Sequence, residues 1–267
     1  MTTVDLHCHM LPGIDDGSKT LEQSLTMARL AVADGIRVAV MTPHHLNGVY
    51  VNQAADIRRQ VRELQASLLA EGIGLRLVPG SEIHLVPEAP GELSSGKAMT
   101  VADRGRAALV ELPVHTVPYG ASDILGQIIS QGITPIIAHP ERNSELRRHP
   151  EMLAEWVDIG CLAQVTAQSC TGLFGPQVRD AAEHMVCSGL IHVAASDAHR
   201  DHRRIPQLSE GRAQIAEWTN ETVAELLCAT FPSTLVAGRD IERERLYQAL
   251  PPPRKRSFWR RVFGDRF

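Results

Sequence analysis

The chain has 267 residues and a net charge of −4, with 43% hydrophobic and 22% charged residues. This composition is typical of a soluble globular protein, and it excludes a disordered, fibrous or disulfide-scaffold protein. Because no stretch approaches 18 uninterrupted apolar residues, the sequence predicts no membrane-spanning helix.

Short apolar segments alternate with amphipathic segments along most of the chain. The apolar segments predict seven strands, at residues 4–7, 38–42, 75–80, 107–112, 134–138, 162–166 and 191–196. The amphipathic segments predict helices at residues 21–33, 54–71, 121–131, 150–159, 176–188 and 210–229. The first of these helices opens on Thr20-Leu-Glu-Gln23, which is a capping-box pattern.

Strands that alternate with helices predict a parallel sheet with crossover connections. No G-x-G-x-x-G follows the first strand, and polar residues stand at the carboxyl ends of nearly all the strands. Both features favour a closed α/β barrel over an open doubly wound sheet. We therefore expect one barrel domain over residues 1–250, followed by a tail at residues 251–267.

Six of the seven predicted strands end in His, Asp or Glu. These ends carry the motifs DLHCH, TPHH, GSEIH, ELP, AHPERN and SDAHR, and an acidic turn, GIDDGS, follows the first. Positions two apart on a strand share a face, so His7 and His9 point the same way and Cys8 points opposite. In a parallel barrel all these ends meet at one rim. The set predicts a metal site there, and the alternative is a polar rim without metal.

These motifs, in this order, resemble the PHP (polymerase and histidinol phosphatase) superfamily over about residues 3–245. The similarity is greatest to its capsule and exopolysaccharide branch of metal-dependent protein-tyrosine phosphatases. The resemblance implies a distorted seven-stranded, TIM-like (β/α)7 barrel that holds three divalent ions. It also implies a partner, the phosphorylated tyrosine-rich tail of a membrane-associated bacterial tyrosine kinase that controls polysaccharide export.

The resemblance also assigns residues to the ions and to the phosphate. It implies three groups of metal ligands. The first is His7, His9, Glu82 and Asp197, the second is Glu82, Glu111 and His139, and the third is Asp16, His44 and His199. It implies that Arg142 and Arg204 bind the phosphate. Imidazole and carboxylate ligands suit Mn²⁺, Fe²⁺, Co²⁺ or Zn²⁺, and we favour Mn²⁺.

Several neighbouring residues leave alternatives open. Asp15 is an alternative ligand to Asp16, and Asp5 shares the face of His7, where it could orient a ligand. His45 and His84 adjoin ligand positions and fit a structural role equally well. The remaining histidines are expected on the surface or in packing: His115, His149, His184, His192 and His202.

The mechanism that we expect is attack on phosphorus by a metal-bound hydroxide, with a tyrosine phenolate as the leaving group. No cysteine begins the C-x5-R loop of cysteine-dependent phosphatases. The alternatives are a small-molecule phosphatase of the same superfamily, such as histidinol phosphatase, a nuclease or proofreading module, and a metal-binding regulator without activity. The nuclease is disfavoured by the charge of −9 on residues 1–250.

The two ends of the chain bear on location. The N-terminus lacks the basic and apolar regions of an export signal, and the five cysteines contain no C-x-x-C pair, so we expect a cytoplasmic protein with reduced thiols. Residues 251–267 hold six basic residues and one acidic residue, interleaved with aromatics. Peripheral membrane contact through residues 254–267 and a solvated or oligomer-forming tail fit this composition equally well. No nucleic-acid partner is expected, and the oligomeric state is left open.

Overall fold

A computed structural model describes residues 3–252 and contains nine strands within that range. The strands are β1 (Thr3–Cys8), β2 (Ile36–Met41), β3 (His44–His45), β4 (Arg76–Pro79), β5 (Glu82–His84), β6 (Ala107–Glu111), β7 (Thr134–Ala138), β8 (Leu162–Thr166) and β9 (Val193–Ala195). All the pairings between these strands are parallel, which confirms the predicted α/β class.

Twelve α-helices connect or flank the described strands. They are α1 (Leu21–Ala33), α2 (Ala54–Ala70), α3 (Ala89–Ser94), α4 (Ala121–Ser130), α5 (Ser144–Arg148), α6 (Pro150–Asp158), α7 (Ala167–Cys170), α8 (Pro176–Cys187), α9 (Ser209–Trp218), α10 (Glu221–Glu225), α11 (Phe231–Val236) and α12 (Arg243–Ala249). Short 3₁₀ turns occur at Val101–Asp103 and Pro140–Arg142, and Leu226–Thr230 forms a π-helical turn. None of the helices in residues 3–252 is long and apolar enough to cross a membrane.

The strands form two sheets, which differs from the closed seven-stranded barrel that the sequence predicts. One sheet has the order β1-β2-β4 and the other has the order β3-β5-β6-β7-β8-β9. The division has a local cause, because Pro43 separates β2 from β3 and offers no N–H to a ladder. Gly80 separates β4 from β5, where a Cβ atom would lie 2.8 Å from Val40 Cγ1.

The first and last strands nevertheless lie side by side. Cys8 forms an isolated parallel bridge with Ala198, and the N–H of Asp197 donates to the carbonyl of His7 at 2.9 Å. One apolar cluster collects buried side chains from seven strands: Leu6, Val40, Val78, Leu109, Ile136, Leu162 and Val193. Ile137, next to Ile136, packs instead in the largest cluster, which includes helical residues, as strand alternation requires.

The structure confirms one of the predicted helices and divides another. Helix α1 has the predicted bounds, and the Thr20 hydroxyl accepts from the N–H of Gln23 at 3.2 Å. The single helix predicted over residues 210–229 is wrong. It is broken after Trp218, because the chain leaves helical geometry at Thr219 and the Asn220 side chain caps the new helix α10.

Two other predictions concern the cysteines and the tail. All five cysteines are free, as expected, and four of them are buried. The predicted membrane contact falls on residues 254–267, which lie outside the described residues.

Candidate metal centre

The nine predicted ligands lie together at the carboxyl ends of the strands. Their side-chain atoms form four overlapping groups, in each of which the ligand atoms lie within 4.8 Å of one another. The nine residues are His7, His9, Asp16, His44, Glu82, Glu111, His139, Asp197 and His199. All of them except Asp16 and Glu111 are buried.

Glu82 stands at the centre of this cluster. Its Oε2 atom lies 3.2 Å from Nε2 of both His7 and His9, and 3.0 Å from Nδ1 of His44. Its Oε1 atom lies 3.0 Å from Nε2 of His139. One carboxylate therefore reaches four imidazoles, which is the arrangement that a bridging ligand requires.

The groups share more members than the resemblance implies, since it shares Glu82 alone between two of them. His9 belongs to the group of Asp16, His44 and His199 as well as to that of His7 and Asp197. His44 also approaches Glu111, whose Oε2 lies 3.4 Å from its Nδ1. The cluster is thus continuous.

Asp197 joins the imidazoles to the two predicted phosphate-binding arginines. Its Oδ1 lies 3.3 Å from Nε2 of His7, whereas its Oδ2 accepts from the guanidinium groups of Arg142 and, at 2.5 Å, Arg204. Asp197, Arg204 and His139 all have positive φ, at 50°, 53° and 33°. Such strained conformations cluster at functional sites and persist only where the surrounding structure holds them.

The surrounding charges keep the central carboxylates ionised. Burial raises the pKa of Asp197, but the charges of Arg204, Arg142 and His7 outweigh it and bring that pKa well below its usual range. Burial likewise opposes ionisation of Glu82, and His7 and His44 lower its pKa well below the ordinary value. Burial lowers the pKa of His44, yet Glu82, Asp16 and Glu111 raise it to about 12.

The donor atoms fit divalent cations. Four of them are buried and make no hydrogen bond: Asp16 Oδ1, His44 Nδ1, Glu82 Oε2 and Asp197 Oδ1. Buried polar atoms without partners are costly, so a cation is the partner that this set of atoms lacks. Ligands about 2.1 Å from an ion and at right angles lie about 3.0 Å apart. The distances of 3.0–3.3 Å around Glu82 and Asp197 match that spacing.

The ring of Phe174 lies beside the guanidinium groups of Arg142 and Arg204, a contact that the sequence analysis did not predict. The guanidinium carbon of Arg142 lies 4.9 Å from the centre of its ring, and that of Arg204 lies 5.9 Å away. Both distances are within the range of cation–π attraction. The spacing of aromatic residues along the chain gives no indication of this contact, since the segment after β8 had no predicted function.

Two polar residues contact the imidazole rings of candidate ligands on the side away from Glu82. The Asp15 carboxylate lies 2.8 Å from Nδ1 of His9, on the far side of that ring from Glu82. The amide oxygen of Gln164 lies 2.9 Å from Nδ1 of His7. Asp15 was the alternative to Asp16 as a ligand, and it is placed instead to orient His9. Gln164 was missed, although a glutamine inside an otherwise apolar strand was a signal.

Two buried acids secure the segments that carry the ligands. Asp5 accepts from the N–H and the hydroxyl of Ser196, at 2.9 and 2.5 Å, so it fixes the turn before Asp197. Burial raises the pKa of Asp5 to about 6. Glu141 accepts from the N–H of Thr166 and the hydroxyl of Ser169, and burial raises its pKa. The sequence analysis had assigned no role to Glu141.

The remaining histidines and Cys8 lie outside the four ligand groups. His45 faces Glu92 at 3.3 Å, and His84 lies 3.6 Å from Glu111. The Cys8 thiol is fully buried, and burial raises its pKa well above the ordinary value. A thiolate at Cys8 is therefore disfavoured, in agreement with a mechanism that uses no cysteine nucleophile.

Comparisons with known proteins match these features. The model of a family described as "Capsular polysaccharide synthesis, CpsB/CapC" matches residues 3–237. The tyrosine-protein phosphatase YwqE of Bacillus subtilis is 40% identical over 73% of this chain and 77% of its own. The tyrosine-protein phosphatase CpsB of Streptococcus pneumoniae is 29% identical over 87% of this chain and 98% of its own.

A solved structure agrees with the fold. It comes from work described as crystal structures of YwqE from Bacillus subtilis and CpsB from Streptococcus pneumoniae, "unique metal-dependent tyrosine phosphatases". The TM-score is 0.87 with 34% identity, and the match covers 94% of this chain and 100% of that one.

Proposed function

The chain belongs to the CpsB/CapC family of capsular polysaccharide synthesis, and on that premise we propose that it is a metal-dependent phosphatase of phosphotyrosine in proteins. The observation that supports the proposal most strongly is the joint placement of the ligand cluster and the two arginines. Asp197 touches both groups, so a phosphate bound by Arg142 and Arg204 would lie at the edge of the cluster.

All nine clustered residues would hold the ions, and Glu82, which faces four imidazoles, lies at the centre of the set. Mn²⁺ is the ion that we favour, because the set contains imidazoles and carboxylates and no thiolate. When bound, divalent ions supply positive charge for the phosphate and lower the pKa of water. The four carboxylates contribute four negative charges, so three divalent ions would leave a net charge suited to a phosphate dianion.

The chain's own groups bind and orient the ester. Arg142 and Arg204 each present a fork of N–H donors, which matches two oxygens of a phosphate group. Phe174 keeps both forks on one side of the cluster. Asp15 and Gln164 fix the rings of His9 and His7, so the ligand nitrogens need no reorganisation. A phenolate leaving group, with an ordinary pKa of about 10, places little demand on a general acid.

The framework proposed for this chemistry is a single distorted barrel over residues 1–250. The inner cluster drawn from seven strands and the bridge between Cys8 and Ala198 support it. The substrate proposed is the tyrosine-rich tail of a bacterial tyrosine kinase, for which the named activities of the relatives provide the support. The location proposed is the cytoplasm, where such a tail and reduced cysteines occur together.

The test compares His139→Ala with His115→Ala on three substrates, a phosphotyrosine peptide, a phosphoserine peptide and histidinol phosphate. His139 contacts Glu82, whereas His115 is exposed and contacts only Ser144 among the contacts described for it. We expect wild type to prefer the phosphotyrosine peptide, His139→Ala to lose about 1000-fold in kcat/KM, and His115→Ala to match wild type. Preference for histidinol phosphate, or full activity after removal of divalent ions by a chelator, would refute the proposal.

A further inference from the structure

A cavity of about 160 Å³ opens at the opposite end of the strands from the ligand cluster. Its wall includes Ala107, Thr134 and Leu162, which are the first residues of β6, β7 and β8. Five residues of strand span about 16 Å. The cavity is therefore separate from the candidate metal centre, which lies beyond the last residues of these strands.

The charge of this cavity is positive. Its wall carries Arg106, Arg239 and Arg243, against a single acidic residue, Asp240, within residues 3–252. Arg106 donates to Asp240 at 2.7 Å, and Arg243 donates to the backbone carbonyl of Val157 at 2.8 Å. In the described part of the chain, neither Arg239 nor Arg243 forms an ion pair. Two guanidinium groups thus face the cavity region without a counter-charge.

Arg243 is partly buried, so solvent screens its charge only in part. It reaches the protein interior, where burial and then the charge of Arg243 lower the pKa of His192 to about 3. A partly buried charge without a counter-ion is costly, and an anion bound beside it would offset that cost. The chemistry of the wall therefore selects for a negatively charged group.

Apart from Thr134 and the charged residues, the side chains of the wall are apolar, and they favour a ligand with an apolar part. Ala107, Leu162, Leu235 and Ile241 contribute hydrocarbon surface. A short hydrocarbon or aromatic body would be complementary to this hydrocarbon surface.

We propose that this cavity binds a small carboxylate with an apolar body. The carboxylate is held by Arg239 and Arg243, whose planar forks match its two oxygens. The body packs against Leu162, Leu235 and Ile241. The site is independent of the proposed phosphatase chemistry, because it lies between the amino ends of the strands and the segment from α11 to α12.

Benzoate is a suitable probe, with benzamide as its uncharged analogue and inorganic phosphate as an anion without an apolar body. Each is titrated into the full-length protein by calorimetry. We expect benzoate to bind at least about tenfold more tightly than benzamide, because the charged group gains the guanidinium contacts. We expect inorganic phosphate to compete only weakly with benzoate, because it gains the guanidinium contacts but lacks the hydrocarbon contacts. Equal affinities for benzoate and benzamide, or displacement of benzoate by an equimolar concentration of phosphate, would overturn the proposal.

Three variants locate the binding. Arg239→Gln removes an exposed, unpaired cation and should weaken benzoate binding about tenfold. Asp240→Asn removes the acidic residue of the wall and frees Arg106, so it should strengthen binding. Arg245→Gln changes an exposed arginine of α12 outside the cavity wall and should have no effect. The gain expected for Asp240→Asn distinguishes the proposal from misfolding, because a misfolded variant would not bind benzoate more tightly. Benzoate binding that neither Arg239→Gln nor Asp240→Asn alters would place the anion elsewhere and refute the site.

Discussion

The two ends of the parallel strands carry charged groups of opposite sign that lack a counter-charge or a hydrogen bond. At the carboxyl ends, four buried carboxylate or imidazole atoms lack hydrogen bonds, and imidazoles crowd around the ionised Glu82. At the amino ends, the guanidinium groups of Arg239 and Arg243 form no ion pair among the described residues, and burial and the charge of Arg243 lower the pKa of His192 to about 3. One end thus attracts cations and the other attracts anions. The same apolar strands support both, so the difference lies in the residues that begin and end each strand.

The largest expected effect comes from neutralising the centre of the cation-attracting end. Glu82→Gln keeps the shape of the side chain but removes the charge that faces four imidazoles. We expect a loss of about 1000-fold in kcat/KM toward a phosphotyrosine peptide, together with a fall in bound Mn²⁺ measured by elemental analysis of the purified protein.

The matched control is Glu155→Gln, which changes an exposed glutamate on α6 away from the cluster. It should retain both activity and metal content. If Glu82→Gln kept its metal and its activity, the unpartnered atoms at the carboxyl ends would not be a metal centre, and the contrast between the two ends would fail.

The sequence could predict most of the cation-attracting end because most of its candidate ligands obey one rule. The carboxyl ends of parallel strands meet, so His7, Glu82, His139 and Asp197 come together wherever the strands are parallel. The prediction needed only the residue type at each strand end. It does not depend on whether the sheet closes, since the interruption at Pro43 leaves the strand direction unchanged.

The sequence could not predict contacts that depend on the path of a loop. Phe174 meets both arginines only because the segment after α7 turns back over the cluster, and no periodicity encodes that turn. The sharing of His9 between two ligand groups likewise depends on distances of a few ångströms. The break after Trp218 was missed because the helical spacing of apolar residues continues through it, while the capping role of Asn220 is a local effect.

A smaller effect is expected at the anion-attracting end, where His192 is buried. Burial and the charge of Arg243 lower the pKa of His192 to about 3, against 6.5 for an exposed histidine. Between these values the unfolded chain binds more protons than the folded protein, so the free energy of unfolding decreases as the pH falls below about 6.5. At pH 5 the loss from this residue is about 2 kcal/mol.

His192→Asn isolates this contribution, because an amide oxygen can replace Nδ1 as the acceptor for the N–H of Ala163. Urea unfolding of both proteins at pH 7 and pH 5 should show a stability difference that shrinks by about 2 kcal/mol at the lower pH. Parallel pH dependence of wild type and variant would mean that folding does not lower the pKa of His192.

The smallest expected effect concerns Phe174, whose ring lies beside both arginines. Two guanidinium groups of like charge lie near one ring, at 4.9 and 5.9 Å, and share the carboxylate of Asp197. Phe174→Leu keeps an apolar side chain but removes the π-face, so we expect KM for a phosphotyrosine peptide to rise about tenfold. The value of kcat should change less, because the ligand cluster is intact. Phe174→Tyr, which keeps the π-face, should restore KM, and Leu173→Ala on the same loop should leave it unchanged. If Leu and Tyr at position 174 behaved alike, Phe174 would act only by packing.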